Sequence, residues 1–123
     1  MYITAAILSV ILVLAALVAG VPKALLKGDV SAGLQSHMGL SPRSVRLIGL
    51  AEGAAAVGLV VGLFWQPLGI AAAVGLAAMM VGAVGFHAKV GDYADPKTRS
   101  GAMAPIVLAL VSIVTAVTLA LAM

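Results

Sequence analysis

The chain has 123 residues, of which 63% are hydrophobic and only 9% charged, well under half the roughly 25% charged residues of an ordinary globular domain. So few charged side chains cannot clothe a water-soluble exterior, which excludes a soluble domain and makes the lipid bilayer the main solvent. The net charge of +3 does not signal nucleic acid, because the basic residues fall between apolar runs and not along one face. With no cysteine in the chain, disulfides, thiolate metal sites and dithiol relays are also excluded.

Four apolar runs stand out: Ile3 to Pro22, Leu47 to Trp65, Leu68 to His87 and Ala102 to Met123. Each is long enough, at a rise of about 1.5 Å per residue, to cross a hydrocarbon core roughly 30 Å thick. The expected architecture is therefore an all-α membrane protein, a single domain over residues 1–123 forming a four-transmembrane-helix bundle. The first run ends in Leu17-Val18-Ala19-Gly20, which has the look of a signal-peptide cleavage site. No Lys or Arg precedes it, and the run is long enough to span, so it reads as a retained helix.

Between the first two spans, Val30, Leu34 and Met38 recur every four residues. This pattern predicts a short amphipathic helix over Asp29 to Met38, capped by Asp29, ended by Gly39 and lying on the membrane surface. Ser41-Pro42 then supplies an N-cap followed by proline at a first helical position, where the second span begins. Spans two and three are separated only by Gln66 and Pro67 and must form a tight hairpin, with Trp65 at headgroup depth. The last connection holds Gly91-Asp92 and Asp95-Pro96, both turn signals.

In lipid, apolar surface gives helices no drive to associate, and close packing of small residues takes over. The second span offers Gly49, Gly53, Gly58 and Gly62, and the third Ala71, Gly75, Ala78 and Gly82. The hexapeptide Ala-Ala-Ala-Val-Gly-Leu occurs from Ala54 and again from Ala71; composition this rich in Ala, Gly, Val and Leu accounts for it without an internal repeat. Met79-Met80 and Phe64-Trp65 sit where core or interface packing explains them.

Glu52 is the one acidic residue within a span, six positions beyond Arg46 and so roughly 9 Å deeper along the helix axis. A lone carboxylate at that depth is costly, which requires pairing, protonation or a wet cavity. It shares an arc with Gly49, Gly53 and Ala56, and so points into the bundle. Lys23 closes the first span and His87 the third, so Lys23, Arg46, Glu52 and His87 form the expected polar cluster. It is a structural ion pair of Glu52 with Lys23 or Arg46, a pocket for a ligand or proton, or a set of snorkelling side chains with no specific partner. A metal site is not expected, because His87 and Glu52 supply two ligands where zinc takes three or four, and His37 lies in a surface loop. No catalytic nucleophile is assigned.

The ordered set of Gly20-x-Pro22-Lys23, an amphipathic loop, Leu47-Ile48-Gly49-x-x-Glu52, Pro67, a third span closing on His87 and followed by Gly91-Asp92, and Ala104-Pro105 resembles the DoxX-like family. The resemblance runs almost end to end and implies a four-helix protein of the bacterial inner membrane. Relatives in the wider DoxX and DoxD group are similar to subunits of quinone-linked sulfur oxidation or to partners of redox enzymes. The cysteines of some of those relatives are absent here. The expected role is a non-catalytic subunit or accessory that meets a membrane or cytoplasmic protein partner through its loops and small-residue faces, or that forms a homo-oligomer. The alternatives are a quinone- or lipid-binding redox accessory that uses the polar cluster, and a small transporter, for which so short a chain would need to oligomerise.

All 7 Lys and Arg lie in two connections: Lys23, Lys27, Arg43 and Arg46 in the first, Lys89, Lys97 and Arg99 in the third. The positive-inside rule predicts both connections in the cytoplasm, with both termini and the Trp65-Gln66-Pro67 turn outside. Reporter fusions after Lys27 and Lys97 should both read cytoplasm, and fusions at Gln66 and the C-terminus should both read outside. Opposite compartments for the first pair would refute four spans.

Overall fold

The computed structural model describes residues 2–123. It contains five helices: α1 (Tyr2–Ala24), α2 (Gly28–Ser36), α3 (Pro42–Gly62), α4 (Gln66–Lys89) and α5 (Arg99–Leu121). All but α2 are long and apolar enough to cross a membrane. The neighbouring long helices are α1 with α3, α3 with α4, α4 with α5 and α5 with α1. They form a closed ring in which each helix runs antiparallel to its neighbours. Every Lys and Arg lies at the end that carries the two longer connections, here called the basic end. The α3–α4 turn, the start of α1 and the end of α5 lie at the opposite, hairpin end.

The helices begin and end where backbone chemistry allows. Ser41 caps α3 as expected, its Oγ accepting from the Ser44 amide at 3.1 Å with Pro42 opening the first turn. The hairpin turn is made by Leu63, Phe64 and Trp65 and not by Gln66 and Pro67 as expected: α3 stops at Gly62, Trp65 takes the N-cap position of α4, and Pro67, lacking an amide hydrogen, fits the first turn of α4. The residue preceding α2 is Lys27, whose side chain makes no cap bond; Asp29, expected as the cap, lies inside the first turn. Here the left-handed Gly28 (φ +87°) starts the helix early, and the carboxylate instead sits near the positive end of the helix dipole. The helix stops at Ser36, short of the expected Met38, with the His37 amide closing onto Gly33 O at 2.8 Å; the left-handed Gly39 (φ +72°) follows and turns the chain, with the Leu40 amide donating to Leu34 O at 3.0 Å. The last span begins at Arg99, ahead of the expected Ala102, because the Asp95 carbonyl accepts the Arg99 amide at 3.0 Å and starts the turn in the connection. Pro105 consequently falls within α5 and does not open it.

The inward residues of α1 are Ala5, Ser9, Leu12, Ala16 and Gly20, a 3.6-residue stripe. Leu12, Ala16, Ala55, Ala56, Leu59, Ala73, Leu76, Met80 and Ala109 form the core. Two glycine contacts bring backbones together at opposite ends of α3. A methyl group on Gly49 would lie 2.5 Å from Gly20 O of α1, and one on Gly62 would lie 2.7 Å from Gly69 N of α4. Gly58 also faces α4, where an added methyl would come within 2.9 Å of Ala72 Cβ. Gly53, expected on the same face, has open space where a Cβ would stand. On α4 the expected face of Ala71, Gly75, Ala78 and Gly82 is exposed, and Gly69, Ala73, Leu76, Ala77 and Met80 point inward instead. Small residues surround α4 on every side, so spacing alone did not single out the inner one. At the hairpin end Tyr2 Oη donates to Leu63 O at 2.9 Å and fastens the start of α1 to the end of α3.

Substitution should therefore separate the glycines. Gly49→Leu should lower detergent-resistant stability by about 1–3 kcal/mol through overpacking, whereas Gly53→Ala should be neutral or stabilising, by up to about 1 kcal/mol, since glycine is the weaker helix former. Thermal unfolding of the two purified variants checks this; equal loss in both would place Gly53 at an interface.

Candidate functional site

Two polar centres occupy the basic half of the bundle. The inner one follows directly from the α1–α3 glycine contact. Without side chains at Gly20 and Gly49 the two backbones meet, and a methyl on Gly20 would lie 2.9 Å from Glu52 Cβ while one on Gly49 would lie 2.8 Å from Lys23 Cβ. Lys23 and Glu52 thus flank the point of closest approach and reach each other across it. Lys23 Nζ donates to Glu52 Oε1 at 2.7 Å, with the glutamate side chain 1% exposed and the lysine 13%. A buried carboxylate is tolerable there because the cation shares its site.

Arg46 does not join this pair. It is exposed on the first turns of α3. His87 is turned elsewhere too, into the second centre, where Asp92 accepts from two imidazoles. His37 Nε2 lies 2.7 Å from Asp92 Oδ1, and His87 Nδ1 lies 2.5 Å from Asp92 Oδ2. The expected cluster of four side chains is in this structure a pair, Lys23 with Glu52, a solvent-facing arginine, and a histidine committed to a separate carboxylate.

The second centre is built by the way α4 ends. Gly91 adopts φ +77°, a left-handed conformation that glycine reaches without cost. The chain then reverses, so that the Gly91 amide donates to Ala88 O at 3.2 Å and the Asp92 amide to His87 O at 3.0 Å. This Schellman turn sets the Asp92 carboxylate beside the His87 ring. Thr98 Oγ1 donates to Asp92 O at 2.8 Å, Tyr93 Oη to Ala102 O at 2.8 Å, and Arg99 Nε to Tyr93 O at 3.0 Å. The Tyr93 ring meets that of His87 edge-on, with centroids 6.2 Å apart. Asp92 is therefore fixed by its own connection before the other loop arrives.

Asp92 is only 3% exposed. Hydrogen bonds from His37 first and His87 second hold its carboxyl below the usual carboxylate range. A folded-state value below the unfolded one means that the centre adds stability above the ordinary carboxylate pKa, about 3.9, and loses it as pH falls through the folded value. Burial, with the charge on Asp92 adding to it, pushes the Tyr93 phenol up. Both imidazoles donate to the carboxylate, which assigns the proton to Nε2 of His37 and to Nδ1 of His87 when they are neutral.

His37 and Asp92 were not singled out by sequence reasoning. A glycine-aspartate pair four and five residues beyond His87 marks a turn there, without showing that the turn returns Asp92 to the histidine. No comparable sign existed for His37, whose partner is 55 positions away. Among the described residues, no group of three or more His, Cys, Asp or Glu is arranged to hold a metal ion. Two shallow grooves of about 200 and 290 Å³ are lined by Val13, Leu17, Ala56, Val57, Val60 and Val61, and by Gly82, Gly85, Phe86 and Lys89. Neither is lined by a residue of the two polar centres.

Glu52→Gln should leave Lys23 without its counter-charge and destabilise the bundle by about 3–5 kcal/mol, the usual effect of breaking a buried pair. Combining it with Lys23→Met should recover much of that loss. A double-mutant cycle of thermal stability in one detergent measures the coupling; additive losses would show that the two side chains act independently.

No curated protein and no solved structure matches the chain significantly. The sequence pattern of the DoxX-like family matches residues 7–117, almost the whole length over which the spans, the Lys23–Glu52 pair and the Asp92 centre are arrayed, and the chain is a multi-pass membrane protein belonging to that family.

Proposed function

We propose that this protein is a non-catalytic subunit or accessory of a membrane-associated complex, with its basic end in the cytoplasm as the docking face. The carrying observation is the distribution of charge satisfaction. Lys23 is paired with Glu52, and Asp92 is occupied by two histidines. Lys27, Arg43, Arg46, Lys89, Lys97 and Arg99 are all exposed, and none of them forms an ion pair among the described residues. An array of free cations on one side of a small bundle suits an acidic partner surface, steering its approach and fixing its orientation.

The inner pair favours a second reading, a lipid- or quinone-binding redox accessory. An anionic or carbonyl-bearing headgroup would there compete with Glu52 for Lys23 Nζ. In that case Glu52→Gln protein would stay folded and carry altered amounts of co-purified lipid or quinone.

Purification of the tagged protein in mild detergent, with identification of what accompanies it, tests the main reading. A stoichiometric protein partner is expected. Replacing Arg43, Arg46 and Lys97 by Gln should release that partner at least about tenfold more readily without changing the melting temperature, while the four remaining basic residues preserve the topology. Isolation free of any protein partner, or a partner indifferent to the substitutions, would refute docking through the basic end.

A further inference from the structure

α2 is attached to the bundle quite differently from the four long helices. It packs only lightly, on the ends of α1 and α3. Both of its flanks are left-handed, at Leu26 (φ 54°) and Gly28 (φ +87°) on one side and Gly39 (φ +72°) on the other. Val30 on its outer side is 66% exposed. Among the described residues, one hydrogen bond joins the α1–α3 connection to the α4–α5 connection, that from His37 Nε2 to Asp92 Oδ1.

The two ends of that bond are unequal. Asp92 is held from its own side by the backbone bond to His87 O, by the His87 ring and by Thr98. His37 has no other side-chain partner, and its side chain is 49% exposed against 4% for Asp92. The acceptor is therefore preformed, and the donor approaches it from the solvent side. The closed position also carries a penalty. Ser31, on the inward face of α2, is 1% exposed and its Oγ has no hydrogen-bond partner. Leaving that hydroxyl dry and unpaired offsets part of what the His37–Asp92 contact contributes.

We propose that α2 is a strap that opens and closes against the basic end, with the His37–Asp92 contact as its latch and the left-handed residues Leu26, Gly28 and Gly39 as its hinges. Opening restores water to Ser31 Oγ and leaves the four long helices, the Lys23–Glu52 pair and the His87–Asp92 contact in place. The strap stands on this geometry whether or not a partner docks on the same face, and its test uses the protein alone.

The experiment is hydrogen–deuterium exchange of the full chain in lipid nanodiscs, comparing the native protein with His37→Ala and His37→Gln, beside thermal melts of each. His37→Ala should speed exchange of the 28–36 amides about tenfold and, by freeing the chain around it, quicken tryptic cleavage after the already exposed Lys27. Exchange within α3, α4 and α5 should hold, and the melting temperature should fall by no more than a few degrees. His37→Gln, which keeps an N–H donor, should return part of the protection. Unchanged exchange in His37→Ala would show that the contact does not hold α2. Faster exchange spread equally over all helices would show that α2 is not separable from the bundle, and native α2 amides exchanging as fast as a free peptide would show that there is no closed state. Any of these three results overturns the strap.

Discussion

In hydrocarbon two helices gain nothing by hiding apolar surface from each other, so the bundle depends on how near its backbones can come. At Gly20 against Gly49 and at Gly62 against Gly69 an added methyl would strike the facing backbone, and α3 contributes to both. It rests on α1 at the basic end and on α4 at the hairpin end. Much of the remaining arrangement follows from that double contact. The near approach of α1 and α3 is what lets a lysine and a glutamate span the gap and neutralise one another away from water. A bulkier residue at either glycine would move the charges apart as well as the helices.

The basic end obeys a different logic, because water reaches it and backbone turns can be used. There a helix terminus does the positioning. The reversal at Gly91 returns Asp92 to the last turn of α4, and Thr98 and Tyr93 fasten the following residues. One centre is thus made by helix packing and the other by loop geometry, and they share no side chain.

What could be read beforehand follows this division. Span number, the hairpin at Pro67, the Ser41 cap and the burial of Glu52 are set by local chemistry or by the cost of charge in lipid, both of which leave marks in the residue order. That Glu52 pairs with Lys23 or Arg46 is one of several readings the residue order allows, and helix phase separates the two cations: Arg46 lies on the outer side of α3, while Lys23 lies at the contact with α1. Gly53 and the Ala71 to Gly82 face were misplaced because helices this rich in small residues look alike from several sides, and only the neighbours distinguish them. The Asp92 centre was missed for another reason. A dipeptide that marks a turn says nothing about which side chain the turn will deliver, and a contact between residues 37 and 92 depends on the path of both connections at once.

The hydroxyls of α5 bear on how such a ring is built. Ser112 bonds to Leu108 O, Thr115 to Val111 O and Thr118 to Thr115 O, so each carries its acceptor within its own helix. α5 is made after the other three spans described here and is the one that closes the ring, touching both α4 and α1. A helix whose polar groups are already satisfied can enter lipid on its own and wait there for its two neighbours. This span can thus be inserted before it is docked, and closure of the bundle need not keep pace with synthesis.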